Sequence, residues 1–286
     1  AATLILVVIA VPSTTVMVSA YDDAEGEINI MVTGHQWKWH YKYLEDDISF
    51  FSNLSTDQEQ IDNKMPKGEF YLSEVDEPLV IPINKRIRFL ITGNDVIHSW
   101  WVPDFAVKQD AIPGFINTAW TNVPEPGIYR GNCTELCGIR HAFMPVVVRA
   151  VEQEEYDAWV TERVMLAEQE KLLTSKEWTT EELFERGESF YQTNCVACHQ
   201  VNGQGIPPVF PALTGSQIVL NDAPRQIEIL MEGVQGAAMA SYAGYSEVDI
   251  AAVITYTRQA WSNGENGDGV IVTPQDIVAY KNKMEL

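Results

Sequence analysis

The sequence predicts three structural classes in series: the end of an apolar helix, an all-β sandwich and an all-α unit. Residues 1–20 form an apolar run without a charged side chain. From Ile28 to about Ala150, short β-branched and aromatic runs alternate with Gly, Pro, Asn and Asp turns. Beyond Glu152 the composition turns to Glu, Gln, Lys, Ala and Leu, and apolar residues then recur at helical spacing.

Taken in order, residues 1–20 are about one bilayer span long, and Pro12 is tolerated in such a helix. The run lacks the basic leader and cleavage site of a signal peptide, so it reads as the end of a transmembrane helix. Asp22, Asp23, Glu25 and Glu27 then mark the exit into water, on a side without Lys or Arg.

Residues 21–150 follow as a sandwich or barrel of antiparallel strands, with Leu79–Ile83 and Ile87–Thr92 among the clearest runs. Residues 151–178 read as a polar helical linker. Residues 179–286 open on a capping box, Thr179 with Glu182. Ser246 with Asp249 caps a later helix, and Pro224 marks a first turn between them.

The chain of 286 residues carries 19 basic and 40 acidic side chains, a net charge of −21. This excess repels nucleic acid and favours a basic partner. Residues 1–150 hold 11 basic and 19 acidic residues against 8 and 21 in residues 151–286, so the helical part is the more acidic.

Two motifs carry the chemistry. Cys195-Val196-Ala197-Cys198-His199 is the five-residue pattern in which two thiols add to haem vinyl groups while the adjacent His ligates iron. No second His lies in the helical part, so a Met is the candidate sixth ligand. Met231 sits on an apolar helical stripe and is explained by packing. Met239, in the small-residue run Gly236-Ala237-Ala238-Met239, is the better candidate.

The second motif spans Cys133 to Met144 and gathers two thiols, the His141 imidazole and a thioether within twelve residues. Such soft donors favour copper, and the second Cys at a spacing of four argues for two thiolates bridging a copper pair. A further His is needed, and His98 stands at the end of an apolar strand, in Asp95-Val96-Ile97-His98-Ser99-Trp100-Trp101-Val102-Pro103.

These motifs carry a resemblance. Residues 179–286 resemble class I bacterial cytochromes c, in which a loop Pro carbonyl accepts the ring N–H of the proximal His; here Pro207 or Pro208 would do so. Ala240 departs from that family, where Pro often follows the axial Met. Residues 1–150 resemble oxidase subunit II through the His98–Pro103 element, the Cys133–Met144 motif, the aromatic run Gly34-His35-Gln36-Trp37-Lys38-Trp39-His40-Tyr41 and the stretch Lys108–Gly114.

The resemblance implies a cupredoxin-like Greek-key sandwich with a dinuclear copper centre (CuA) held by His98, Cys133, Cys137, His141 and Met144. The Glu135 backbone carbonyl would be a weak copper ligand and its side chain would reach a Mg ion facing subunit I. Trp37 would be the point where electrons enter. Haem c would be held by Cys195 and Cys198, with His199 and Met239 as axial ligands. The implied partners are subunit I and the other oxidase subunits, a cytochrome c donor and the lipid bilayer. The implied location is a bacterial inner membrane, with both redox domains on the periplasmic face.

Lys42 departs from this family, where many relatives carry an acid. Two rival readings are a free electron shuttle serving a denitrification reductase and a copper-delivery protein. Cys133 and Cys137 exclude the quinol-oxidase form of the subunit.

Overall fold

The computed structural model describes residues 2–22, 24–46, 48–234, 239 and 241–284. The chain divides into two compact units, 1–164 and 165–286, and the division falls within the helix Gln153–Thr174.

In the first unit, helix Ala2–Ala20 exposes Leu4, Ile5, Leu6, Val7 and Val8. Its 19 residues reach about 28 Å at ~1.5 Å per residue, just short of a ~30 Å hydrocarbon core. Among the described residues no helix is long and apolar enough to cross a membrane.

Among the described residues ten strands follow: β1 Ile28–His35, β2 Lys38–Tyr43, β3 Ser49–Ser52, β4 Leu79–Pro82, β5 Ile87–Gly93, β6 His98–Val102, β7 Val107–Ala111, β8 Asn117–Thr121, β9 Gly127–Cys133 and β10 Pro145–Val151. They form two five-stranded sheets, ordered β3-β2-β1-β5-β8 and β4-β10-β9-β6-β7. The purely antiparallel expectation needs correction, because β1 pairs with β5 and β4 with β10 in parallel. In each case the partners are far apart in sequence, so no hairpin turn dictates their direction.

Alternation builds the core. Ile30 and Val32 of β1, Trp39, Tyr41 and Tyr43 of β2, and Ile87, Phe89 and Ile91 of β5 point inward and are fully buried. Each buried Ile, Val or Phe among them contributes about 1.5–3 kcal/mol. The polar tips find partners inside: the Trp100 Nε1–H donates to the Tyr41 hydroxyl at 3.2 Å, and the Tyr43 hydroxyl donates to the Val80 carbonyl at 2.6 Å.

His35 and His40 alternate with the core-facing residues of β1 and β2, and pack against Phe51 with ring centroids 5.3 and 4.7 Å away. His35 Nδ1 and His40 Nε2 are buried without a hydrogen-bond partner. Burial, then the Lys38 ammonium, push His35 down to about 3, with Asp95 opposing and His40 and His98 adding to the fall. Burial, Lys38 and Lys42 push His40 down to about 4.

Both folded values lie below the ordinary 6.5, so the unfolded chain takes up these protons first as pH falls. The stabilisation is complete above pH ~6.5 and is lost towards the folded values, at about 1.4 kcal/mol per pH unit for each His. Denaturant unfolding should therefore show a lower midpoint at pH 5 than at pH 7, and a His40→Phe variant should show a shallower fall. Equal midpoints at the two pH values would refute this.

The second unit is helical. Thr180–Asn194 packs on Glu247–Gln259 around Tyr191, Ile250, Ala251 and Ile254. Both expected caps form. Thr179 and Glu182 make the reciprocal box, and the Ser246 hydroxyl accepts from the Asp249 N–H at 3.1 Å. Pro224 lies in the first turn of Ala223–Glu232. Arg258, 4% exposed, donates to the Val219 and Val270 carbonyls at 2.8 and 3.0 Å and pairs with Asp268, which satisfies the charge it buries.

Candidate metal centres

In the first unit β9 ends on Cys133 beside Trp100 of β6, and β10 begins one residue after Met144. Two backbone bonds fasten the intervening loop: Cys133 N–H to the Met144 carbonyl at 2.9 Å and Thr134 N–H to the Ser99 carbonyl at 3.0 Å. The two sulfurs are thereby brought to 3.7 Å of each other, and neither cysteine is in a disulfide. Cys137 Sγ lies 3.6 Å from His141 Nδ1, and Cys133 Sγ lies 3.4 Å from the Glu135 carbonyl.

His98 completes the cluster. It opens β6, rather than standing at the end of a strand as the sequence suggested. A ligand atom of His98 and the two sulfurs all lie within 4.8 Å of one another, and all three residues are buried. Gly34 makes room for it, since a Cβ there would stand 2.7 Å from His98 Cδ2. The His98 Nε2 is 2.8 Å from an Asp95 carboxylate oxygen, whereas Nδ1 is buried without a hydrogen-bond partner.

The electrostatics suit a cation. The hydrogen bond between the two sulfurs holds Cys133 well below the ordinary thiol range and pushes Cys137 up, so the pair favours one thiolate. Burial disfavours a charged His98, but the hydrogen bond to Asp95 and the nearby Cys133 sulfur outweigh it and raise its pKa. An orphaned imidazole nitrogen facing two soft sulfurs fits copper. Met144, 1% exposed, roots the loop, while the Glu135 side chain is exposed.

The Trp37 Nε1–H donates to the Cys137 carbonyl at 3.2 Å, and the Gln36 side-chain amide donates to the same oxygen at 2.7 Å. Gln36 and Asp95 are site residues that the sequence reading missed. The signal available for Asp95 was its place three residues before His98.

In the second unit Cys195 caps Thr180–Asn194 and leads into the turn Val196–His199. Cys195 and Cys198 are half-buried and His199 is 9% exposed. The His199 Nδ1 lies 3.0 Å from the Pro211 carbonyl, not from Pro207 or Pro208 as expected. Ile206 and Phe210 exchange backbone bonds at 2.9 Å in both directions. This closes Pro207 and Pro208 into the loop tip and brings Pro211 back beneath the ring.

Gly205, at φ +65°, permits that return: a Cβ there would stand 2.4 Å from the Phe210 carbonyl. With Nδ1 engaged, Nε2 is the nitrogen left to face an iron. Burial lowers the His199 pKa, and the Pro211 bond only partly opposes it, which suits a neutral ligand.

Met231 is 8% exposed within the core, on Ala223–Glu232. Met239 lies outside that helix, half-buried against the same core, with its carbonyl accepting from Val234 N–H at 2.8 Å. Gly236, Ala237, Ala238 and Ala240, which carried part of the sequence argument, lie outside the described residues. Tyr242 and Tyr245, also missed from sequence, donate to the Asn194 carbonyl at 3.1 Å and side-chain oxygen at 2.6 Å.

Two family models match the chain. Residues 28–151 match the cytochrome c oxidase subunit II periplasmic domain, and residues 184–261 match cytochrome c. The chain therefore carries a cytochrome c oxidase subunit II periplasmic domain followed by a cytochrome c domain. The chain is 43% identical over 165 residues to a probable cytochrome c oxidase subunit 2 of Rickettsia bellii, covering 57% of this chain and 60% of that protein.

It is 39% identical over 170 residues to cytochrome c oxidase subunit 2 of Cereibacter sphaeroides, covering 54% of this chain and 56% of that protein. The chain thus spans less than two thirds of the length of these relatives. It is also similar to a crystal structure of the periplasmic domain of cytochrome oxidase subunit II from Bradyrhizobium japonicum. There the identity is 40%, the coverage 49% of this chain and 95% of that one, and the TM-score 0.43.

Proposed function

We propose that this chain takes electrons from a donor at haem c and passes them through a dinuclear CuA centre to haem a of subunit I. There oxygen is reduced to water with coupled proton pumping. The observation that carries this reading is the pair of unbridged sulfurs 3.7 Å apart opposite the unpartnered, buried Nδ1 of His98.

Copper bound there and haem bound at Cys195–His199 supply one-electron carriers; the chain supplies their setting. His98, Cys133, Cys137, His141 and Met144 would hold copper, together with the Glu135 carbonyl, and the exposed Glu135 side chain would reach Mg. Cys195 and Cys198 would tether haem covalently, the Pro211 carbonyl, which engages His199 Nδ1, would leave Nε2 for iron, and Met239 would supply the thioether ligand. Trp37, whose indole N–H donates to the Cys137 carbonyl, is the electron-input residue.

The domain scheme is residues 1–20 as the end of a membrane helix, supported by its exposed apolar side chains, then 21–150 for copper, 151–178 as linker and 179–286 for haem. The last two segments hold the larger acidic excess, which draws a basic cytochrome c and weakens with salt over about 8–10 Å of screening. Subunit I and the other oxidase subunits, in a bacterial inner membrane with the redox domains periplasmic, complete the assembly.

Rapid-mixing spectroscopy tests the route. His199→Ala should lose fast donor oxidation while the copper signal stays intact, and Trp37→Ala should permit haem reduction but slow the onward step. Copper reduction at an unchanged rate in His199→Ala would make the haem a side branch.

A further inference from the structure

The Asp95 carboxylate lies behind the candidate copper ligand His98 and is 15% exposed as a side chain. One oxygen, Oδ1, faces His98 Nε2 at 2.8 Å and accepts from the Val96 N–H at 2.7 Å. The other, Oδ2, accepts from the Gln36 N–H at 2.7 Å. Gln36 and Trp37 in turn donate through their side chains to the Cys137 carbonyl. One carboxylate therefore touches both the imidazole and the turn that clasps the sulfur loop.

We propose that Asp95 is a positioning residue that fixes the proton of His98 on Nε2, presents Nδ1 bare to the two sulfurs, and registers the Gln36–Trp37 turn against them. This rests on the copper reading above. An ionised carboxylate has acceptor capacity only, so the nitrogen facing it must carry the hydrogen. The other nitrogen is then the lone-pair donor. A carboxylate behind a ligating His also makes the imidazole more basic, which favours the oxidised metal.

Asparagine cannot reproduce the arrangement. Its single carbonyl can accept from Gln36 or from His98, and its amide must face the remaining group. If the amide faces His98, it forces the ring hydrogen onto Nδ1, the metal-facing atom. If it faces the Gln36 N–H, the turn loses its anchor.

The test uses the full chain in detergent. Nitrogen-15 NMR of the copper-free protein, at a pH where the His98 ring is neutral, should show hydrogen on Nε2 and an unprotonated Nδ1; the reverse tautomer of the neutral ring overturns the proposal without any variant. In Asp95→Asn the copper dissociation constant should rise about 10–100-fold and the copper reduction potential should move upward. Asp95→Glu should restore part of the affinity, because the carboxylate is kept.

A variant that unfolds more readily yet binds copper with unchanged affinity and potential would show a merely structural role and overturn the proposal. Copper failing to bind the unmodified chain would overturn the copper reading itself, and this inference with it. Equal binding by both chains would overturn this inference alone.

Discussion

Replacing either sulfur of the pair, Cys133→Ser or Cys137→Ser, is expected to abolish the mixed-valence copper signal. The sulfurs stand 3.7 Å apart within one loop, so a metal held by one would be within reach of the other, and on this reading both would serve the same ions. Serine keeps the shape but offers a hard hydroxyl that stays protonated at neutral pH, and soft copper binds it poorly. Copper content and the paramagnetic spectrum read the outcome together. Either variant should lose metal as well as the shared-electron line shape, while haem absorption stays unchanged. A single-copper spectrum from the unmodified chain, or an undiminished dinuclear signal in either variant, would defeat the reading.

Met239→Ala is expected to remove the sixth iron ligand, turning the haem high-spin and lowering its potential, because a thioether opposite imidazole raises it. Met231→Ala should leave the spectrum alone and cost about 2–5 kcal/mol of stability, as truncation of a buried Met does. The contrast comes from placement: Met231 is inside the helix Ala223–Glu232 and 8% exposed, whereas Met239 lies beyond the helix end. Optical spectra and thermal melts of the two variants separate ligation from packing. A high-spin haem in Met231→Ala would reverse the assignment.

Signals confined to a few residues carried over from sequence to structure. The Thr179–Glu182 box and the Ser246 cap are each complete within four positions, so their chemistry does not wait on tertiary contacts. The Cys133–Met144 cluster is also local, and the loop bonds bring Cys133 and Cys137 together as their spacing suggests. The direction of β1 against β5 is not local, since Ile28 meets Ile87 from a distant part of the sequence. Nor could a lone Asp95 announce that it would stand between His98 and the Gln36 backbone. Pro211 was hidden for a third reason: sequence distance favours Pro207 and Pro208, and only the closed turn from Ile206 to Phe210 lengthens the path.

That turn has a consequence for how much change the haem loop can absorb. It is fastened to itself at its base, where Gly205 N–H meets the His199 carbonyl at 2.9 Å and Leu213 N–H meets the Gly203 carbonyl at 2.7 Å. Ile206 and Val209, near its tip, are 43% and 58% exposed. The tip can therefore drift in sequence to suit whatever docks against it, because its side chains take no part in the bonds that fix the acceptor beneath His199. Partner choice and ligand geometry become separately adjustable properties of a single short loop.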